Sequence, residues 1–175
     1  MKYTSAEAGK LIRKLERQLA YDLKMEDKST FYHLAVGEDE NAVRPEYSFE
    51  DSEENYRELC GKIRAVKHAV NQFNIVHELP GFPGLTIDQA LVYIPQVKKR
   101  TETLQRMAAA LPKERDSSDM FGFGKRSNII DYRIANYNIP DAKEEYDRMT
   151  DLLSRLQLAL DTVNTTETMD IDIEA

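Results

Sequence analysis

A glycine-rich segment near the middle of the chain has residue types that suit phosphate binding. It reads Gly122, Phe123, Gly124, Lys125, Arg126 and Ser127. A nucleotide-binding P-loop requires a glycine five residues before its Gly-Lys pair and Ser or Thr directly after the lysine. Asp119 and Arg126 occupy those two positions here, so we expect no nucleotide site. Two alternatives remain, a weak anion contact made by Lys125 and Arg126 and a solvated hairpin tip.

Histidine and cysteine are too few and too scattered to predict a metal centre or a nucleophilic site. His33, His68 and His77 form neither a His-x-x-x-His pair nor a Glu-x-x-His motif, which are the helical spacings that metal sites use. Cys60 lies beside an apolar helical position without a nearby histidine, and we interpret it as an inert, partly buried thiol. We therefore expect no catalytic residue, no metal and no cofactor.

Three tyrosines and an asparagine provide a second candidate site. Tyr132, Asn136 and Tyr137, together with Tyr93, could form a polar aromatic binding surface. In the alternative interpretation, which we favour, the phenol rings pack at the hairpin ends and their hydroxyls bind backbone groups.

Four long helices with a heptad spacing are expected to position these residues. Thr4 and Glu7 have the spacing of a capping box at the start of the first helix. In the second and fourth helices, apolar residues alternate at spacings of three and four, which is the seam pattern of a coiled coil. The seam residues are Tyr56, Leu59, Ile63, Val66, Val70 and Phe73 in the second helix, and Tyr146, Met149, Leu153, Leu156, Leu160 and Val163 in the fourth. We expect them to supply the core and the contacts of an oligomer.

The helices are expected to form two hairpins within a single elongated unit, residues 1–175. The first antiparallel coiled-coil hairpin is predicted over 4–76 and the second over 86–164, with a Pro/Gly-containing linker over 77–85. The fold class is therefore mainly α.

Short extended segments are predicted to add a small β element. Residues 43–49 have an extended apolar pattern, and residues 128–137 are rich in β-branched and aromatic side chains. In the tail over 165–175, residues 169–174 alternate apolar and acidic side chains. This alternation predicts an edge strand, which we expect to pair with 43–49 or 129–137.

Composition and charge narrow the class of protein. Charged residues make up 31% of the chain, and the net charge is −7 with a pI of about 5.1. An acidic chain is repelled by nucleic-acid phosphates and by anionic lipids. No apolar run reaches the ~18 residues that a membrane helix needs, so the sequence predicts a cytoplasmic protein without stable membrane insertion and without a nucleic-acid partner.

The end of the last helix resembles a known bacterial family. Asn164, Thr165, Thr166 and Glu167 follow its heptads, and this ending is similar to the carboxyl-terminal signature of the uncharacterised septicolysin-like helical proteins. Leu85, Thr86 and Leu91 resemble the start of the family's middle helix, and Arg126, Ser127 and Ile129 its basic turn before a strand. The family commonly has an aromatic residue after the asparagine, where this chain has Thr165. The resemblance implies a helical-hairpin fold and an oligomer, and it brings no catalytic or cofactor residue.

These observations predict a non-enzymatic structural or interaction protein that self-associates through its heptad seams. The expected partners are further copies of the chain or another protein. One alternative is an ATP-independent holdase-like chaperone of prefoldin-like architecture, which is a fold-level analogy. Another is a membrane-active cytolysin, which only the family name suggests.

Overall fold

The computed structural model describes residues 1–115 and 131–173, and these ranges are mainly helical. They contain five α-helices and four three-residue strands. The elements are β1 (Lys2–Thr4), α1 (Ser5–Ser29), α2 (Glu40–Val43), α3 (Phe49–Val76), α4 (Ile87–Ala108), β2 (Lys113–Arg115), β3 (Tyr132–Ile134), α5 (Ile139–Thr166) and β4 (Thr168–Asp170). The strands form two separate two-stranded antiparallel sheets, β1–β4 and β2–β3. The prediction of a mainly α fold with a small β component is confirmed.

The chain divides into two compact units. The first comprises Met1–Asp88 and Asp161–Ala175, and the second comprises Gln89–Leu160. The prediction of one elongated unit stays a prediction.

In the first unit, α1 and α3 pack as an antiparallel pair. The predicted capping box starts α1: the Thr4 hydroxyl accepts from the Glu7 N–H at 3.2 Å, and the Glu7 carboxylate accepts from the Thr4 N–H at 2.9 Å. Further along the pair, Lys67 on α3 donates to Glu16 on α1 at 2.6 Å, and Asn55 donates to Asp22 at 2.9 Å. The later residue on α1 thus bonds to the earlier residue on α3, which shows that the two helices run antiparallel.

The core of the first unit is a seven-residue repeat on α3 covered by small and aliphatic side chains. Leu59, Val66 and Phe73 are buried at this spacing, whereas the seam residue Tyr56 is 42% exposed. The seam contains two sets of positions, and only the set with Leu59, Val66 and Phe73 is buried. The other buried apolar residues of this unit are Ala8, Leu79, Ile87, Val163, Met169 and Ile171.

The predicted linker, 77–85, is a compact turn bound at both ends. The Leu79 N–H donates to the Leu85 carbonyl at 2.8 Å, and the Leu79 side chain is fully buried. Gly81 and Gly84 have φ of +78° and +79°, a region that L side chains rarely adopt. The two glycines therefore allow the chain to reverse within a few residues.

The carboxyl-terminal tail forms a strand, as predicted, but its predicted partner is wrong. β4 pairs antiparallel with β1, with Met169 opposite Tyr3, and not with 43–49 or 129–137. The Ile171 N–H extends the pairing by donating to the Met1 carbonyl at 2.9 Å. Met169 and Ile171 are both buried, so the alternation correctly gave the tail an apolar face. The partner was missed because it lies at the other end of the sequence.

The predicted strand at 43–49 is also wrong. Glu40–Val43 is a single helical turn whose N-cap is Asp39, and α3 begins at Phe49 with Ser48 as its N-cap. These two capping side chains accept backbone N–H bonds that start helical turns. Pro45, between the turns, lacks the N–H that strand pairing would use.

In the second unit, α4 and α5 also run antiparallel. The pKa of Glu145 on α5 is lowered, first by its hydrogen bond with Arg148 and further by the charge of Arg100 on α4. The pKa of Arg148 is raised, first by Glu145 and to a smaller extent by Tyr93 on α4. The orientation agrees with the hydrogen bond that the Tyr137 hydroxyl, just before α5, donates to the carbonyl of Met107 near the end of α4 at 3.0 Å. The buried side chains of this unit are Ala90, Val97, Thr101, Leu104, Ala142 and Leu156.

The second unit also holds the β2–β3 sheet. Lys113 lies opposite Ile134, Glu114 opposite Arg133, and Arg115 opposite Tyr132. The strand predicted over 128–137 is therefore confirmed only at Tyr132–Ile134, and residues 128–130 lie outside the described part of the chain.

Candidate functional site

The residues predicted from sequence as candidate sites are only partly brought together. Lys125 and Arg126 lie outside the described ranges. The Tyr137 hydroxyl donates to the Met107 carbonyl at 3.0 Å, as the structural interpretation of the tyrosines expects. Tyr93 lies fourteen residues before Met107 on α4, which is roughly 21 Å along a helix.

The remaining members of the predicted aromatic surface lie on or beside β3. The Tyr132 ring packs under the Lys113 ammonium at 4.0 Å, and Asn136 is exposed two residues after the strand. The structure thus brings Tyr132, Asn136 and Tyr137 to one end of the second unit and leaves Tyr93 farther along α4.

Eleven of the twelve seam residues are buried or half-buried in the single chain, whereas Tyr56 is 42% exposed. Leu59, Val66, Phe73, Leu156 and Val163 are buried, and Ile63, Val70, Tyr146, Met149, Leu153 and Leu160 are half-buried. Self-association through the seams stays a prediction. Any contact that needs fully exposed apolar surface has to use other residues.

The described residues give little support for metal or thiol chemistry. Within 1–115 and 131–173, no three His, Cys, Asp or Glu side chains are grouped as a metal site would require. His77 stacks on Phe73 with ring centroids 3.9 Å apart. Cys60 is half-buried, and a side-chain hydrogen bond with it raises the pKa of Tyr56. In the same ranges, no helix is both long and apolar enough to cross a membrane.

The strongest candidate site is a surface that the sequence patterns did not predict. We call it the tip surface: the exposed apolar residues Phe31, Leu34, Val36 and Phe49, and the glutamates Glu50, Glu53 and Glu54 at the start of α3. Phe31 is 86% exposed, Val36 is fully exposed, and Phe49 is 65% exposed. Phe31, Leu34 and Val36 lie in the connection that follows α1, and Phe49 begins α3. Several large exposed side chains within one segment of the chain indicate an interaction site more strongly than scattered ones do.

Two tyrosines hold the connection between α1 and α3 in place. The Tyr47 hydroxyl donates to Glu26 near the end of α1 at 2.7 Å, and the Tyr32 hydroxyl donates to Glu40 on α2 at 2.6 Å. Each hydrogen bond raises the pKa of its phenol, because ionisation would remove the donor and place two negative charges together. Both tyrosines therefore stay protonated and act as structural ties, while the apolar side chains around them stay exposed.

This end of the first unit has a larger net negative charge than the whole chain. Residues 21–58 include twelve Asp or Glu and four Lys or Arg, a net charge of −8, whereas the whole chain has −7. Glu50, Glu54 and Glu58 follow at i,i+4 spacing on α3, so they are neighbours on one face of the helix. Glu58 pairs with Lys62 at 2.6 Å. Neither Glu50 nor Glu54 forms an ion pair with a residue in the described ranges.

An open groove lies within the tip surface. It has a volume of about 490 Å³ and is lined by Phe49, Glu50, Glu53, Glu54 and Arg57. Arg57 pairs with Glu53 at 3.1 Å. An aromatic ring beside several carboxylates suits a cationic side chain, which can contact the ring face and a carboxylate together.

The signal that could have predicted the tip surface was present in the sequence. Phe31, Val36 and Phe49 stand among an excess of acids. The sequence pattern nevertheless indicates other structures for them: Phe31 and Leu34 continue the apolar spacing of the first helix, and Phe49 falls in the expected strand over 43–49.

Comparison with known proteins supports the fold and gives no function. No protein-family model and no curated protein matches the chain. A solved structure is similar to it, that of a functionally unknown conserved protein from Corynebacterium diphtheriae, with 17% sequence identity and a TM-score of 0.57. The match covers 97% of this chain and 100% of that chain. At this identity the two proteins share a fold, and the resemblance to septicolysin-like proteins stays a prediction.

Proposed function

We propose that this chain is a non-enzymatic interaction protein and that the tip surface is its binding site. The observation that carries the proposal is the exposure of Phe31, Val36 and Phe49 on a connection that Tyr32 and Tyr47 hold to neighbouring helices. Leaving a large apolar side chain in water forgoes roughly 1.5–3 kcal/mol of burial free energy. A partner that covers these side chains would recover part of that free energy.

The charge of the tip surface restricts the kind of partner. An excess of eight negative charges over residues 21–58 repels nucleic-acid phosphates and anionic lipid headgroups. It attracts a protein surface that combines basic and apolar side chains. The proposed partner is therefore a protein, and a homo-oligomer is the form that we favour.

Two further parts of this proposal concern the packing of the helices and the compartment of the protein. The spacing of Leu59, Val66 and Phe73 supports antiparallel coiled-coil packing of the helical pairs. A single half-buried cysteine suits a reducing compartment such as the cytoplasm.

A holdase-like chaperone is a second candidate that the same surface favours. Exposed aromatic side chains at the end of a helical hairpin could bind the apolar segments of unfolded clients. This candidate predicts that the chain suppresses aggregation of a denatured client without ATP. Replacing Phe31 and Phe49 by serine should abolish the suppression.

Thiol protection tests whether a partner covers the tip surface. In a chain carrying Cys60→Ser, the variant Phe31→Cys places a single thiol at the tip, and Val92→Cys places one on α4. Val92 is a matched control because it is an apolar residue that is 59% exposed. The rate of maleimide labelling is measured for dilute purified protein and in a native lysate of the cells that make the protein.

The two variants are expected to behave differently. In the lysate, labelling at position 31 should slow by about tenfold or more, as expected when an interface excludes water and reagent, and labelling at position 92 should be unchanged. Equal rates at both positions would show that nothing covers the tip surface and would overturn the proposal.

A further inference from the structure

We propose that the partner of the tip surface is a second copy of this chain, which docks through one face of its β2–β3 sheet. This inference rests on the proposed function, since it names the protein that covers the tip surface.

The β2–β3 sheet has one face that is cationic and apolar. Residues directly opposite each other in an antiparallel pair lie on the same face. Lys113, Arg115, Tyr132 and Ile134 therefore share a face, which we call the basic face, whereas Glu114 and Arg133 share the other. The contact of the Lys113 ammonium with the Tyr132 ring agrees with this assignment.

The basic face carries two cations and no carboxylate among its four residues. The carboxylate of Glu114 lies on the opposite face, where it pairs with Arg133 at 2.9 Å. Ile134 is 65% exposed and Tyr132 is 50% exposed. Arg115 is exposed and forms no ion pair with a residue in the described ranges.

The groove of the tip surface has the complementary chemistry. Glu50 and Glu54 supply two carboxylates without ion pairs in the described part of the chain, and Phe49 supplies an exposed ring. The fork of an arginine side chain can bind one carboxylate through two hydrogen bonds while it stacks on an aromatic ring. Arg115 of a second copy can enter the groove in this way, and Ile134 can cover apolar side chains of the tip surface.

Both surfaces are exposed in the single chain, and they have different residues and opposite charge. The proposed contact is therefore heterologous, because the tip surface of one copy meets the basic face of another. It can be made once, or it can be repeated from copy to copy. A second copy is the occupant that the charges favour, because its basic face supplies two cations and exposed apolar side chains that complement the carboxylates and the Phe49 ring of the groove.

Charge exchange on the purified full chain tests the inference. The variants are Glu50→Lys with Glu54→Lys at the tip surface, Lys113→Glu with Arg115→Glu on the basic face, and all four changes together. The matched control is Lys98→Glu with Lys99→Glu on α4, which alters the net charge by the same amount as the basic-face pair. Sedimentation equilibrium at low and high salt measures the dissociation constant, and circular dichroism verifies that each variant folds.

The wild type should associate at low salt, and about 0.5 M salt should weaken association by roughly tenfold, because exposed charges are screened within a few ångströms there. Each paired reversal should weaken association by at least about tenfold, the fourfold variant should restore it, and the control should leave it unchanged. A wild type that is monomeric at about 100 µM and low salt would overturn the inference, as would a fourfold variant that stays monomeric. If the thiol at position 31 is nevertheless protected in the lysate, the tip surface binds a different protein, so the inference fails while the proposed function stands.

Discussion

Replacing Glu54 by lysine should raise the thermal stability of the chain while weakening its association. Glu54 has like-charged neighbours at i−4 and i+4, Glu50 and Glu58. A like-charge pair at this spacing destabilises a helix by about 0.2–0.5 kcal/mol, and an opposite pair stabilises it by a similar amount. Turning both like-charge pairs into opposite-charge pairs should stabilise the folded chain by about 1–2 kcal/mol. The lower value is expected because Glu58 already pairs with Lys62 at 2.6 Å and because Arg57, at i+3, becomes a like-charged neighbour.

Thermal unfolding at low salt measures this effect. For a chain of this size, about 1 kcal/mol corresponds to a rise in Tm of roughly 2–4 °C. The rise should shrink in about 0.5 M salt, because salt screens exposed charges.

Glu50→Lys is the matched control for this prediction. Glu50 lies in the first turn of α3, where a negative charge interacts favourably with the helix N-terminus by about 0.3–1 kcal/mol. Replacing Glu50 by lysine removes the like-charge pair with Glu54, but it also loses the favourable interaction with the helix N-terminus. The Tm of this variant should therefore stay unchanged or fall. A Tm for Glu54→Lys equal to or below that of the wild type, or an equal rise for both variants, would refute the reasoning that repulsion among Glu50, Glu54 and Glu58 destabilises α3.

Three further predictions concern stability. Leu156 is fully buried, so Leu156→Ala should destabilise the chain by about 2–5 kcal/mol. Leu158 is 70% exposed, so Leu158→Ala should change the stability by less than about 0.5 kcal/mol. Denaturant unfolding measures the stability of both variants. Deleting residues 168–175 removes β4 and the buried Met169 and Ile171, so we expect a loss of about 3 kcal/mol, and an unchanged Tm would show that the tail does not contribute. Hydrogen bonds from Thr4 lower the pKa of Glu7, so the stability that they add is present above the ordinary glutamate pKa and is lost as the pH falls through the lowered pKa. The wild-type protein should therefore lose more stability between neutral and acidic pH than the Glu7→Gln variant. Parallel plots of stability against pH for the two proteins would contradict this prediction.

The features that the sequence predicted well depend on residues close together in the chain. The capping box of Thr4 and Glu7 spans three residues, and the burial of Leu59, Val66 and Phe73 follows a seven-residue repeat on one helix. A periodic pattern contains the information for such elements, because a helix is a local structure.

The features that the sequence predicted poorly depend on distant partners. The tail was identified as a strand from its alternation, but its partner β1 lies at the other end of the sequence. The connection between α1 and α3 is held by Tyr47 and Glu26, twenty-one residues apart, and no periodicity encodes such a pair. The exposure of Phe31 and Phe49 follows in part from where this tie holds the connection, so the excess of acids around them was the only local signal of the tip surface.

Site-specific photo-crosslinking tests the central claim most directly. A benzophenone amino acid is incorporated at position 31 in the tip surface or, as a control, at position 92 on α4, and the cells that make the protein are irradiated. We expect a discrete protein adduct from position 31, with the mass of two copies of the chain, and no adduct from position 92. The absence of any adduct from position 31, or the same set of adducts from both positions, would contradict the claim that the tip surface is the binding site.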